Sequence, residues 1–585
     1  MAEYRNPQNE PGSDKRLLLI FLVSFVVMLL AQPLLKKYFP TPPPPQKAAQ
    51  SEQAQPAPAA AKPATSAPAP RSAPATTKQA ANETETVIES DLYRVTFSNR
   101  GAQVKSWILK KFDNDSERGP LDLVNPTAAA QYGYPLSLWA YDEELRGKLN
   151  SALYVSTRDG NQITFDYSDQ DLSVHKTIKF DGTYVARIEA SVTYKGAPRE
   201  TLPAWPSGFG DQGSPAFFAT SLLVYQYNKN IERVQPRCGF SLFSKCAQVV
   251  GGATIPGPFH WAGPTDQYFA AVFIPDDPAS ASMVTLNHSM PIPKDPQKPQ
   301  DTVNVDVIGA AVGSLHGTVS GRLFAGPKEL DVLQKVEVPG VSGADADLTG
   351  LVDFGWWGII AKPLFVWLRW TYHHVVADWG WSIVIQTLII SLALLPLRIS
   401  QMKSMLKMQR VAPQIKSIQE KYKKYSLRDL RKAAMNEEIA ALYKKEGVNP
   451  AGGCLPLLIQ MPFLFAYYRM LSMAIDLRHA HWLWIKDLSA AEPLPYILPI
   501  LMVVSSLITQ RMTPQAGMDP AQQRMMNVMM PLMMGFIFFR LQAGLNLYYS
   551  VSNLISIGSQ AVMNRTRLGR EMREIMAKRA RKKEK

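Results

Sequence analysis

Apolar residues in this chain are gathered into long runs, and that clustering limits the fold more than any other feature. One run, Leu17–Leu35, follows Lys15 and Arg16; five more cover approximately Trp379–Leu397, Leu455–Met473, Leu494–Ile508, Met525–Phe539 and Leu545–Met563. A helix of about 20 apolar residues spans a bilayer, at roughly 1.5 Å per residue. The reading is six spans, with the first, residues 1–38, an uncleaved anchor: its apolar core is long and "LLAQP" is a poor cleavage site. The shorter fourth and fifth runs suit a thinned or water-invaded bilayer.

The net charge of +14 suits nucleic acid, anionic lipid or plain topology. Its distribution favours topology. Arg398, Lys403, Lys407, Arg410, Lys416, Lys421 and Lys423 lie between the second and third runs, with more Lys and Arg up to Lys445. The tail 564–585 ends in "RARKKEK", whereas the loop Ala474–Pro493 carries only Arg478 and Lys486. Basic residues thus mark the inner side, which puts both termini in the cytoplasm and the region after the first run outside it. Residues 398–448 have helical spacing, with Pro413 expected to interrupt one arm and "KYKKYSLRDL" to form the bend of a cytoplasmic helical hairpin.

Between the first and second runs the pattern changes twice. Residues 39–84, dominated by Pro, Ala, Gln and Ser, bury too little apolar surface to fold and read as a disordered linker. Residues 85–338 alternate with period two, most clearly in "SVHKTIKFDGTYVARIEASVTY", where Asp181-Gly182 punctuates a hairpin. Many such strands predict a large β-sandwich. Cys238 and Cys246 fall within it, either paired across a short loop in an oxidising compartment or left as two thiols. The aromatic-rich segment 351–375 reads as an amphipathic helix on the outer membrane surface.

Polar residues inside the runs carry the functional signal. The second run holds Gln386, Thr387 and Ser391, the third Gln460, Tyr467, Tyr468, Arg469 and Ser472, and the fourth Ser505, Ser506 and Thr509. The last holds Asn546, Ser550, Asn553, Ser556 and Gln560, spaced to form one stripe. Ordinary helix packing accounts for many of these. Arg469 needs water, a partner or a route to the surface, because a lone guanidinium in hydrocarbon is costly. With no Asp or Glu in any run, no ion partner is expected inside the spans.

"VNPAGGCLPLLIQMPFLFAYY", "LWIKDLS", "YILPILM", "MDPAQQRMMNVMMP" and "AGLNLYYSVSNLISI" together resemble the YidC/Oxa1/Alb3 membrane protein insertase family. The first anchor, the external β region and "GPTDQYFAAVFIP" resemble its Gram-negative form. The resemblance implies a periplasmic β-supersandwich and a five-helix core, 376–563, enclosing a hydrophilic groove open to the cytoplasm and to lipid. It implies insertion of nascent inner-membrane proteins, alone or with the Sec translocon and its accessory subunits, and ribosome contact through the hairpin and basic tail. Membrane lipids are further partners; DNA, a cofactor, a metal and enzymatic chemistry are not expected. The groove would be lined by Gln386, Thr387, Ser391, Gln460, Tyr468, Arg469 and Thr509. Ser391 stands where the family usually carries a basic residue and Arg469 where it usually has an aromatic, so Arg469 is expected to supply the groove's charge. Two rivals are a secondary transporter, which would favour intramembrane acids and repeats, and a sugar-binding β domain, whose scattered His175, His260, His288 and His316 form no evident constellation.

Overall fold

The computed structural model describes residues 77–566 and 570, apart from 115–118, 213–214, 229, 237–247, 295–299, 315–317, 342–345, 423–424, 426–430, 448–454, 494, 513–524 and 567–569. The first anchor, most of the linker, Cys238, Cys246 and nearly all of the tail lie outside the described residues.

Alternation becomes antiparallel sheet. Strand β1, Leu172–Phe180, buries every second residue from Leu172 to Phe180, and β2, Val185–Tyr194, returns with Ile178 opposite Ile188. Gly182 takes a left-handed conformation, φ +88°, and Asp181 accepts from the Thr183 amide at 2.8 Å. The pair belongs to a ten-stranded sheet that also contains β3, Phe259–Thr265, β4, Phe269–Pro275, and β7, Val319–Pro327. A five-stranded sheet is built on β5, Ala281–Pro293, and β6, Thr302–Ser314, paired along their whole lengths; a third sheet has four strands. Trp107, Trp205 and Trp261 lie fully buried in the β core. One inward position of β1 carries Lys176, fully buried and donating from Nζ to the carbonyls of Ala102, at 2.7 Å, and Leu136. Burial holds its pKa down to about 7.

The β region begins before residue 85. Lys78 bridges Ser168, Ala80 N donates to Leu153 O at 3.0 Å, and Asn99 Nδ2 donates to Asn82 O at 3.0 Å. Residues 78–84 were expected as linker from composition. They are held by main-chain pairing, which any sequence supplies.

Helices follow: α1, Gly358–His374; α2, Trp379–Ala393; α3, Leu395–Lys421; α4, Arg431–Lys445; α5, Leu455–Met473; α6, Ile497–Met512; α7, Met530–Phe538; and α8, Ala543–Arg565. Asp378 caps α2, accepting from Trp381 N at 2.8 Å. Gly380 lets α2 approach the loop that carries Trp482, since a Cβ there would sit 2.1 Å from its ring. Helix α8 packs against α2, α5 and α6. Helices α3 and α4 form the hairpin, with Val411 and Ile415 against Ile439 and Leu442, and Lys421 bonded to Glu438 at 2.8 Å. Pro413 does not interrupt its arm: α3 runs through it, because neighbouring turns carry the helix past one missing donor.

Among the described residues the apolar runs and the helices coincide closely, but the second run is broken. Pro396 ends the second run's helix after Ala393 and α3 starts at Leu395. Among the described residues, no single helix is long and apolar enough to cross a membrane.

Candidate functional site: the polar faces of the helical core

Helix α2 turns its polar residues inward. Ser382, Gln386, Thr387 and Ser391 are all buried, while Leu388, Ile389 and Leu392 stand exposed on the other side. Gln386 donates from Nε2 to Leu364 O on α1 at 2.9 Å and accepts from the hydroxyl of Tyr467 on α5. The Tyr467 ring stacks on Tyr548 of α8, with centroids 4.0 Å apart. Thr387 donates to Ile383 O at 2.6 Å. Gln386 therefore joins α2 to α1 and α5 in this conformation, while Thr387 bonds within its own helix; each finds its partner within the bundle.

A second polar seam runs between α6 and α8. Asn553 Nδ2 donates to Ser505 Oγ at 3.1 Å and to Ser506 Oγ at 2.9 Å. Ser550 donates to Leu498 O at 3.4 Å, and Thr509 donates to Ser505 O at 2.8 Å. Tyr468 is exposed on α5, Thr509 half-buried on α6. Gln460 lies on α5 with its side chain outside the described atoms. The stripe on α8 continues to Ser556, which accepts from Arg398 Nη1 at 2.7 Å.

Arg469 points elsewhere. Its Nη2 donates to Asp353 O at 2.9 Å and Oδ2 at 3.1 Å. Asp353 lies in the segment leading into α1 and also meets Arg233 of the β region at 3.7 Å. The apolar runs themselves hold no acidic partner for Arg469. The partner lies outside them and reaches Arg469 because α1 packs on α5. Nothing in this geometry directs Arg469 toward Ser391, Gln386 or Thr509.

A neighbouring arginine organises the same boundary. Arg369 on α1, 9% exposed, makes a two-pronged bond to Asp331 and lies 3.4 Å from Asp476 and 3.7 Å from Glu329. The Arg369 bond holds the Asp331 carboxyl below its usual range. Burial raises Asp476 to about 6. Gln267 adds a bond from Nε2 to Ser472 O at 2.9 Å, and Arg478 donates to Asp113 O at 2.8 Å. These bonds tie the β region to α1 and to the C-terminal end of α5. Arg369, Asp353 and Asp476 were not singled out as site residues. Their only sequence signal was charge beside an aromatic-rich segment, and their partners lie far away in the chain.

Facing outward, Leu532, Met533, Phe536 and Ile537 on α7 and Leu554 and Val562 on α8 are exposed. With the outer residues of α2 they leave apolar surface on several helices, which marks a lipid- or protein-contacting exterior. The core is thus polar along its inner seams and apolar outside.

Residues 85–367 match the family described as the YidC periplasmic domain, and residues 370–570 match the 60Kd inner membrane protein family. The "Membrane protein insertase YidC" of Geobacter sulfurreducens is 32% identical over 499 residues, covering 82% of this chain and 86% of that protein. Its counterpart in Burkholderia multivorans is 32% identical over 515 residues, covering 85% and 87%. The crystal structure described as "Active YidC insertase" with its first transmembrane domain resolved is 20% identical, covers 84% of this chain and 94% of its own, and has a TM-score of 0.35. A β-sandwich domain joined to a helical core, and sequence identity sustained across both, place this chain in the YidC family of membrane protein insertases.

Proposed function

We infer that this chain inserts and folds inner-membrane proteins by offering a nascent segment a polar path between its helices and an apolar exit at their sides. The observation that carries the reading is the division of α2, with Gln386, Thr387 and Ser391 buried inward and Leu388, Ile389 and Leu392 exposed outward.

The physical task is to carry a polar tail past hydrocarbon, where each unsatisfied backbone or charged group costs several kcal/mol. Gln386 and Tyr467 satisfy each other at rest. A passing polar segment can take either partner by exchange, and exchanging one hydrogen bond for another changes the free energy little. Ser505, Ser506, Thr509 and Asn553 offer further donors and acceptors on the opposite seam. The substrate's apolar helix then leaves sideways into lipid, driven by burial.

In this reading the six apolar runs cross the membrane, both termini are cytoplasmic and the β region is periplasmic. The α3–α4 hairpin and the basic tail meet the ribosome or anionic headgroups, since both present phosphates. The Sec translocon is a partner for substrates whose translocated segments are too large for this path. No covalent step is required of the chain.

The test is reconstitution. Proteoliposomes holding the full chain alone should protect the short tail of a single-span reporter from added protease. Equal protection in protein-free vesicles would end the proposal.

A further inference from the structure

Between α5 and α6 the segment "HWLWIKDLS" folds into a tight turn. Trp482 N donates to Ile485 O at 2.9 Å, and Ile485 N donates to Trp482 O at 2.8 Å, which leaves Leu483 and Trp484 as the tip. Both flanks, Trp482 and Ile485, are buried, whereas Leu483 is 67% exposed and Trp484 45%. Leu483 also takes a left-handed backbone, φ +51°. Two-residue turns of this kind favour Gly, Asn or Asp at such a position, and a bulky residue there costs about 1 kcal/mol or more. The chain thus holds a large apolar side chain where glycine would be less strained and where little of it is buried.

Trp484 is fixed so that its one polar atom is already used. Its Nε1 donates to Glu492 Oε1 at 2.8 Å. Glu492 is buried and also accepts from Ile497 N at 3.1 Å and Leu498 N at 2.8 Å, satisfying the first amides of α6. Trp482 in turn stands edge-on to Trp381 in the first turn of α2, with centroids 5.6 Å apart. The tip is therefore tied to the starts of both α2 and α6. Exposed Trp381 and Leu388 lie seven residues apart on α2, and exposed Ile497, Ile500 and Val504 follow helical spacing on α6. Apolar surface runs from the tip along both helices. Behind the tip, on its two sides, His481 and Lys486 are exposed.

We propose that the Leu483–Trp484 turn is a membrane anchor: it enters the boundary between phospholipid headgroups and acyl chains and sets the depth at which α2 and α6 begin. This rests on the reading above, which puts both helices across the membrane. Lipid is favoured over a protein partner for two reasons. The tip's apolar surface is continuous with helix faces that the reading gives to lipid. Lys486 stands behind it, where the phosphate layer would lie over hydrocarbon.

The experiment uses the full chain with Cys238, Cys246 and Cys454 replaced by Ser. Leu483→Cys, Leu388→Cys and Asn161→Cys, the last in an exposed turn of the β region, each carry a nitrobenzoxadiazole label. The vesicles are phosphatidylethanolamine and phosphatidylglycerol, with or without lipids brominated on their acyl chains. Brominated lipid should lower emission from position 483 about twofold and leave position 161 unchanged. Aqueous iodide should do the reverse. Iodide quenching at 483 equal to that at 161 overturns the proposal. Shielding of 483 from both quenchers also overturns it, by placing a second copy of this chain over the tip. If brominated lipid fails to reach position 388 too, the membrane reading of α2 falls and the proposal with it, a result distinct from a wet tip beside a quenched 388. Leu483→Gly should keep or raise Tm in detergent, because it relieves the backbone without removing a buried side chain. A marked fall in Tm would show that Leu483 packs within the chain, which overturns the anchor.

Discussion

Arg469 and Asp353, 116 positions apart, meet through one main-chain bond of 2.9 Å and one side-chain bond of 3.1 Å. The contact explains how a guanidinium is held at the end of an otherwise apolar helix. Both side chains are about one-third exposed, at 31% and 35%, so solvent screens the pair. A double-mutant cycle on Arg469→Ala and Asp353→Ala should give a coupling below about 1 kcal/mol, read from unfolding of the full chain in detergent. Arg469→Ala should lower insertion of two single-span reporters, an acidic one with Asp and Glu in its translocated tail and one with Asn and Gln in their place, by the same factor. A selective loss of the acidic reporter would return Arg469 to the groove.

Arg369 should matter more. Replacing it with Met leaves Asp331, Glu329 and Asp476 facing one another without their cation, at a cost of about 3 kcal/mol. Asp476 already titrates near 6, above the ordinary 3.8, so the folded chain holds a proton there that the unfolded chain releases between those values. Its contribution to stability therefore grows as pH falls through that window. The Met variant, with no cation to favour the carboxylate, should lose less stability at about pH 5 than at about pH 7.5, measured as the difference in Tm from wild type. A pH-independent difference would contradict this.

The Gln386–Tyr467 bond makes a paired prediction. Gln386→Leu removes the bonds to the Leu364 carbonyl and the Tyr467 hydroxyl, and should cost about 1–2 kcal/mol. Tyr467→Phe removes one partner and should cost about 1 kcal/mol. The double variant should be less damaged than the sum, because it leaves fewer orphaned groups. Strict additivity in detergent unfolding would count against the shared bond.

Lys176 sets a pH slope in the β region. The folded side chain gives up its proton near pH 7, while the unfolded one keeps it to an ordinary 10.5. The unfolded state binds the extra proton between those values, so this group's contribution to stability rises with pH across the window. Lys176→Met should remove that rise, whatever it does to absolute stability. Tm curves of the two full-length proteins that stay parallel from about pH 7 to about pH 10 would refute the assignment.

Gly380 tests the packing of α2 on the loop that carries Trp482. An added methyl would meet Trp482 at 2.1 Å, so Gly380→Ala should cost about 1–3 kcal/mol. Trp482→Ala in the same chain should relieve most of that increment. A Gly380→Ala protein with wild-type Tm would show that the loop yields freely.

Much of this architecture is legible without coordinates. Period-two alternation in "SVHKTIKF" places the buried face of β1, because sheet pleating forces successive side chains to opposite sides. The apolar runs locate α2, α5, α6, α7 and α8 to within a few residues, since helix ends follow Pro, Gly and capping residues such as Asp378. The same alternation fails at Lys176, whose charge predicts a surface position. Burial there is supported by two carbonyls from turns far away in the chain, which no local rule reveals.

Periodicity, propensity and charge bias are local, and so the sequence by itself determined the sandwich, the helices and the inward and outward faces of α2. Which polar residues remain open and which are spent on one another depends on partners brought together by folding. Only the tertiary structure decided that Gln386 is answered by Tyr467, that Arg469 is claimed by Asp353, and that Arg398 rests on a hydroxyl with no carboxylate described nearby. The physical reason is that a charge or amide is satisfied through space, over a few ångströms, by residues whose separation along the chain carries no trace of that proximity.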